Sequence, residues 1–464
     1  MLQKLLSLTA LICLLAIQGF SPAEAAEKPN IIYILLDDAG YGDLSCYGQQ
    51  KFQTPNIDRL AQEGIQFTDH YSGSTVCAPT RCSLMTGLHT GHTYVRGNRE
   101  VKPEGQAAMP ADIVTIPRLL RNAGYKTGAF GKWGLGAPGS PSDPANHFDV
   151  FYGYNCQREA HNYYPTHLWS NFERVELDGK TYTAPLIANA ATQFIRDNKD
   201  VPFFVYLPVT IPHAAMHAPE SDVAPFRDQF PEYENKIGKY AGTEFRNPAA
   251  AFVAMMTILD NEVGELMTLL QTLDLDDNTI VMLSSDNGPH REGGHDPVLF
   301  DSNGPLRGFK RDLTEGGIRA PMIARWPGKI APGRKTSHAS AHWDVLPTVC
   351  ELAGVKTPNN IDGISFVNTL MGKPDQQPQH DYLYWEFYEQ GGKRAVRFGN
   401  WKAIQLNLNK NADSPVALYD LSQDIGETND VASEHPDLVA KAKRFFTDAH
   451  TPSEFWSFGT KKQK

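Results

Sequence analysis

Basic residues are in short supply in this chain. Lys and Arg number 43 against 53 Asp and Glu in 464 residues, a formal charge of −10, and this excludes a basic nucleic-acid footprint. Beyond the first twenty residues no apolar run approaches the ~20 residues that cross a bilayer. Repeats and low-complexity tracts are absent. With 41% hydrophobic and 21% charged residues, that excludes disordered, collagen-like and coiled-coil classes. Cysteine is scarce, at six: Cys13, Cys46, Cys77, Cys82, Cys156 and Cys350. The acidic balance does not exclude an anionic substrate, because a local cluster of Arg, Lys, His and a metal overrides weak global repulsion.

What is present begins at the N-terminus. Lys4 precedes an apolar run from Leu5 to Phe20, and Ala23-Glu24-Ala25 offers small residues where a signal peptidase reads. Residues 1–25 therefore read as a secretory signal. The expectation is an exported protein, periplasmic or secreted, with no integral membrane segment after cleavage. Cys13 leaves with the signal, so an odd five cysteines remain and at least one thiol is left over. A chain this long does not need disulfides for stability, and the leftover cysteine is sought as chemistry.

Ile31 to Leu36 is a continuous apolar run and reads as a strand covered on both faces. Thr54-Pro55, residues 56–63 and Gly64 read as cap, helix and stop. Residues 126–130, 202–207 and 279–283 are further strand candidates. Residues 249–273 form the longest helix candidate, with Phe252, Met256, Leu259, Val263, Leu266 and Leu270 on one face. Strands alternating with helices predict a doubly wound α/β sheet. The texture changes near Pro374. Residues 381–404 are aromatic and β-branched around Gly391-Gly392, which predicts an antiparallel hairpin, and residues 436–449 are helix-like. The expected division is a catalytic domain over 26–373 and a small α+β subdomain over 374–464.

Sites in open α/β sheets form beyond the carboxyl ends of strands. Asp37 and Asp38 follow the first strand, Gly131-Lys132 the second, Pro212-His213 the third, and Ser284 to Asn287 the fourth. Converged, these give mixed-charge oxygen ligands beside a lysine and a histidine, a set suited to Ca²⁺ or Mg²⁺ rather than zinc. Taken singly, each of these residues also reads as a turn or surface residue. The case rests on all four occupying the same structural position. The sharpest segment is Cys77-Ala78-Pro79-Thr80-Arg81, continued by Cys82 to Gly87. Pro79 fits a first helical turn, and Arg81 falls one turn after Cys77 on the same face. The free N–H groups of a helix start suit an oxyanion. The plainer alternative is a small buried cysteine.

Cys77 to Arg81, with Leu84-Met85-Thr86-Gly87, resembles the signature of the formylglycine-dependent sulfatases. Further likenesses follow in order along nearly the whole mature chain: Asn30 to Gly42, Gly131-Lys132-Trp133, Pro212-His213 with Ala218-Pro219-Glu220, Ser285 to Gly288, Leu306 to Lys310 with Glu315 to Arg319, Trp401-Lys402 and Tyr419-Asp420-Leu421. The resemblance implies a large, mostly parallel, alkaline-phosphatase-like sheet between helices, with a small antiparallel sheet in the C-terminal domain. It implies that Cys77 is oxidised to formylglycine by a maturation enzyme. It implies that Asp37, Asp38, Asp286, Asn287 and residue 77 hold one Ca²⁺, in preference to Mg²⁺. Arg81 would fix the hydrated aldehyde, Lys132 and Lys310 would grip the sulfate, and His213 with Lys310 would protonate the departing alcohol.

One position departs from the pattern. The family usually carries histidine after Gly131-Lys132-Trp133, and here residue 134 is glycine. His161 is the candidate substitute base, with His217 behind it. Asn155, His161 and His217 are also candidate substrate contacts. The aromatic stretch from Tyr152 to Trp169 suits a sulfated sugar, though aromatics serve cores as well. Two rivals stand beside the sulfatase reading: a phosphatase or phosphodiesterase with two zinc ions, and a non-catalytic binder of sulfated glycans.

Overall fold

The computed structural model describes residues 28–459. The expected signal segment and Cys13 lie outside the described residues. Among the described residues, no helix is long and apolar enough to cross a membrane.

A ten-stranded mixed sheet forms the centre. Its order from edge to edge is Arg334–Thr336, Ile65–Phe67, Met322–Arg325, Thr279–Ser285, Asn30–Leu36, Phe203–Pro208, Lys126–Lys132, Val150–Tyr154, His167–Ser170 and Glu173–Glu176. The run from Thr279–Ser285 across to Val150–Tyr154 is parallel, and antiparallel pairs flank it on both sides. The first strand shows why. All seven residues of Asn30–Leu36 are buried. Ile32, Ile34 and Leu36 enter one core, while Ile31, Tyr33 and Leu35 enter the core on the other face. Alternation on a pleat divides one apolar run between two layers. The long Pro248–Thr272 helix covers the first face, and the Cys77–Thr86 and Val345–Leu352 helices cover the second.

The helix after Thr54 spans Pro55–Gln62, but Thr54 makes no side-chain cap. Its hydroxyl bonds Ser45 and Asp58 instead, tying the helix start to the preceding turn. The texture change seen near Pro374 leads into a four-stranded antiparallel sheet, Leu383–Phe387, Lys393–Phe398, Trp401–Leu406 and Val416–Asp420, followed by the Pro436–Asp448 helix. This sheet is pinned to the large one through buried charge. Lys402 Nζ reaches Glu315 at 2.7 Å and Glu427 at 3.2 Å, Arg319 bonds Glu315 at 2.6 Å, and Arg397 bonds Asp69 at 2.7 Å. Tyr71, Leu313, Ile318 and Trp343 share a core with Trp385 and Ile404. Removing one member of such a network would strand a buried charge, which is costlier than the whole network is beneficial.

Candidate active site

The ladder of the central strands continues past their ends. Asp286 N–H donates to Leu36 O at 3.0 Å, Asp37 N–H to Ile211 O at 3.1 Å, and Asp38 N–H to Asp286 Oδ1 at 3.0 Å. Asp37, Asp38, Asp286 and Asn287 thereby meet at one point, all buried. Behind them the Cys77–Thr86 helix is buried at every residue, with Gly87 stopping it at φ 73°. Its first residue brings Cys77 Sγ to 3.5 Å from Asp37 Oδ1. One turn on, Arg81 donates to Lys132 O at 2.6 Å and to Asp286 Oδ2 at 3.1 Å. Lys132 Nζ lies 2.6 Å from Asp37, and Lys310 Nζ 2.8 Å from Asp38 and 3.0 Å from His213 Nε2.

Three carboxylates thus face three cations, and burial makes each pairing matter. Burial raises the carboxyl of Asp286 and the charge of Asp37 adds to this, pushing it up to about 7. Asp37 and Asp38 are held well below the carboxylate range despite burial, by Lys132 and Lys310 respectively. Burial, then the charge of Asp37, raises the Cys77 thiol far above its ordinary range. Asn287 Nδ2 donates to Asp38 Oδ1 at 2.7 Å and to Gly288 O at 2.9 Å, while its Oδ1 is buried without a partner. Arg81 Nε is likewise buried and unpartnered. An orphaned amide oxygen beside three carboxylates fits a hard, oxygen-seeking divalent cation.

His213 has a defined tautomer. Its Nδ1–H donates to Ala214 O, so Nε2 is the acceptor facing Lys310. Burial keeps this ring neutral, and Lys310 adds to the effect. His161 stacks on His213, and the edge of Tyr240 meets both rings at 5.4 and 5.7 Å. Burial, then Lys132 and Lys310, push His161 down to about 3. At Gly134, φ is +73°, and a Cβ there would meet Gln157 Cγ at 2.9 Å and Nε2 at 3.0 Å. Gln157 therefore fills the ground a larger residue would need. Asn155 is buried, its carbonyl accepting Gly134 N–H at 3.1 Å and its Oδ1 left unpartnered. His217 has its ring against Tyr164 and Phe245.

The family model described as Sulfatase matches residues 29–355, and that described as N-sulphoglucosamine sulphohydrolase, C-terminal matches residues 308–447. The chain belongs to the sulfatase family. Arylsulfatase A of Homo sapiens is 31% identical over 90% of this chain and 87% of its own. N-acetylgalactosamine-6-O-sulfatase of Bacteroides thetaiotaomicron is 29% identical over 92% of this chain and 94% of its own. A crystal structure of Ps i-CgsB in complex with k-i-k-neocarrahexaose superposes with a TM-score of 0.78 at 29% identity, covering 91% of this chain and 92% of that one. This sulfatase is accordingly a sulfuric ester hydrolase on the alkaline-phosphatase-like α/β fold.

Sequence reasoning missed several groups at the site. His290 and Glu292 follow Asp286 within one loop, and that proximity was a usable signal. Tyr240 comes from the hairpin Ile237–Tyr240 and Thr243–Arg246, distant from any motif. Five cysteines are free among the described residues, Cys77 among them.

Proposed function

We propose that this sulfatase is exported and hydrolyses the sulfate ester of a carbohydrate, using a formylglycine made from Cys77 and one divalent cation, Ca²⁺ before Mg²⁺. The observation that carries the reading is the meeting of Asp37, Asp38, Asp286 and the unpartnered Asn287 oxygen beside Cys77. The partners this implies are a formylglycine-generating enzyme and a sulfated small molecule or glycan. The sugar class is supported by the relative named N-acetylgalactosamine-6-O-sulfatase and by the superposed structure that holds k-i-k-neocarrahexaose.

The cation, held by Asp37, Asp38, Asp286, Asn287 and residue 77, would supply Lewis-acid polarisation of a sulfate oxygen. Residue 77, once converted and hydrated, would supply a hydroxyl nucleophile toward sulfur and a second hydroxyl whose proton loss expels sulfate. The chain's own side chains do the rest. Arg81 holds the nucleophile's position through a fork already fixed on Lys132 O and Asp286. Lys132 and Lys310 offset charge on the sulfate oxygens. As the ester S–O bond breaks, the departing oxygen takes a proton from Lys310, which His213 Nε2 orients. His161 receives the second proton. Its ring is neutral, and an arriving sulfate anion counters the two lysines and raises its basicity.

The test is sulfate release by the full chain, co-produced with a formylglycine-generating enzyme, from 4-nitrophenyl sulfate and from sulfated sugars. The reading expects free sulfate that depends on a divalent cation. Hydrolysis of phosphate esters alone would overturn it.

A further inference from the structure

Beside Lys310 stands a second carboxylate, in addition to Asp38, that the catalytic steps do not use. Glu292 Oε1 pairs with Arg311 Nη1 at 2.8 Å. Its Oε2 lies 3.7 Å from Lys310 Nζ and is buried without a hydrogen-bond partner. This oxygen is ion-paired with Lys310 but accepts no hydrogen bond, and its charge opposes the anion the site receives unless a donor from the substrate meets it.

The position of this carboxylate is fixed, not incidental. His290 Nδ1 accepts the N–H of Glu292 at 3.0 Å, and its Nε2–H donates to Pro212 O at 3.3 Å. Both ring nitrogens are therefore committed, so Asp38, His290 and Glu292, close as they are, do not form a metal site. The His290 ring lies 5.8 Å from that of His213, with planes 27° apart. It ties the loop bearing Glu292 to the loop bearing His213. Arg311 is anchored in turn, its N–H donating to Thr75 O at 3.1 Å. The carboxylate is thus set at a constant offset from the two groups assigned to the departing oxygen.

A group so close to Lys310 faces the atoms one or two bonds beyond the ester oxygen. On a sugar those atoms carry hydroxyls, which donate hydrogen bonds. On a simple aryl ring they carry none. We propose that Glu292, held by Arg311 and positioned by His290, is a specificity-determining residue that accepts hydrogen bonds from hydroxyls flanking the sulfated position of a sugar leaving group. This deepens the sulfatase reading and rests on it.

The two substrate types are expected to respond with opposite signs. Removing a charged acceptor from a site built for hydroxyls costs about tenfold to a hundredfold in kcat/KM. Removing a negative charge near Lys310 strengthens the field felt by any sulfate. The experiment compares Glu292→Gln and Glu292→Ala with the parent on 4-nitrophenyl sulfate and on 4- and 6-sulfated galactose, glucose and their N-acetylated forms. The expected result is a rise in KM for the best sugar sulfate and a level or lower KM for the aryl sulfate. The ratio of the two kcat/KM values would fall about tenfold or more. Glu292→Gln keeps the shape and a partner for Arg311, so it reports even if the alanine variant folds poorly. Equal losses on both substrates, or no loss on any sugar sulfate, would overturn the proposal. A parent enzyme that releases sulfate from neither substrate would overturn the underlying reading and this proposal with it.

Discussion

His161 lies flat on His213, with ring centroids 4.2 Å apart and planes only 2° from parallel. In the mechanism we propose, one ring would orient the proton donor for the departing alcohol, and the other would take a proton in the next step. The proposal thus gives the two halves of the reaction separate imidazoles in contact, though these come from loops about fifty residues apart.

His161→Ala tests that division. A positioned base accelerates proton removal by ~10²–10⁴, so its loss slows the second half of turnover. The expected outcome in rapid-mixing experiments is a burst of alcohol followed by slow release, which the parent lacks. A raised KM with no burst would make His161 a substrate contact instead. Gly134→His does not restore a base, because φ is +73° at that position and Gln157 occupies the space.

Cys77→Ala is expected to abolish sulfate release and leave the fold intact. The side chain is small, so the cavity costs about 1 kcal/mol and the melting temperature moves by only a few degrees. Cys77→Ser retains activity only where the maturation enzyme accepts serine. Full activity in the alanine variant, measured by ion chromatography of sulfate, would remove Cys77 from the mechanism.

Asp286→Ala should lose both cation and activity. Burial and the charge of Asp37 raise the Asp286 carboxyl, and a cation held there would relieve that crowding. Elemental analysis after dialysis reads the result. Unchanged metal content would exclude Asp286 as a ligand, and two zinc ions per chain would revive the phosphatase alternative.

Glu262, on the long Pro248–Thr272 helix, gives a pH prediction independent of catalysis. Burial, then the neighbouring Glu265, push its carboxyl up to about 8, and Oε1 has no partner. Below its ordinary value of 4.5 both folded and unfolded chains hold the proton. Above that value the unfolded chain releases it first, so stability falls as pH rises toward 8. Glu262→Gln removes this penalty. The variant should gain about 1–3 kcal/mol over the parent between pH 5 and pH 8, read from thermal or urea melts. A constant difference across that range would contradict it.

The central sheet was legible because its strands are continuous apolar runs, and runs such as Ile31 to Leu36 must be covered on both faces. The strand-end residues were legible for a topological reason: parallel strands deliver their carboxyl ends to one edge, so Asp37, Lys132, His213 and Asp286 had to converge. What was not legible depends on contacts far apart in sequence. Nothing local announces that Tyr240 meets His161, or that Gln157 fills the space at Gly134. The buried Glu315–Lys402 pair was visible only as two motif fragments; their 2.7 Å contact belongs to tertiary packing.

The central claim is that residue 77 acts as a converted cysteine. Mass spectrometry of the peptide spanning Cys77, from protein that releases sulfate, tests it most directly. Conversion predicts a peptide roughly 18 Da lighter than the encoded sequence. An unmodified Cys77 peptide from a fully active preparation would contradict the account.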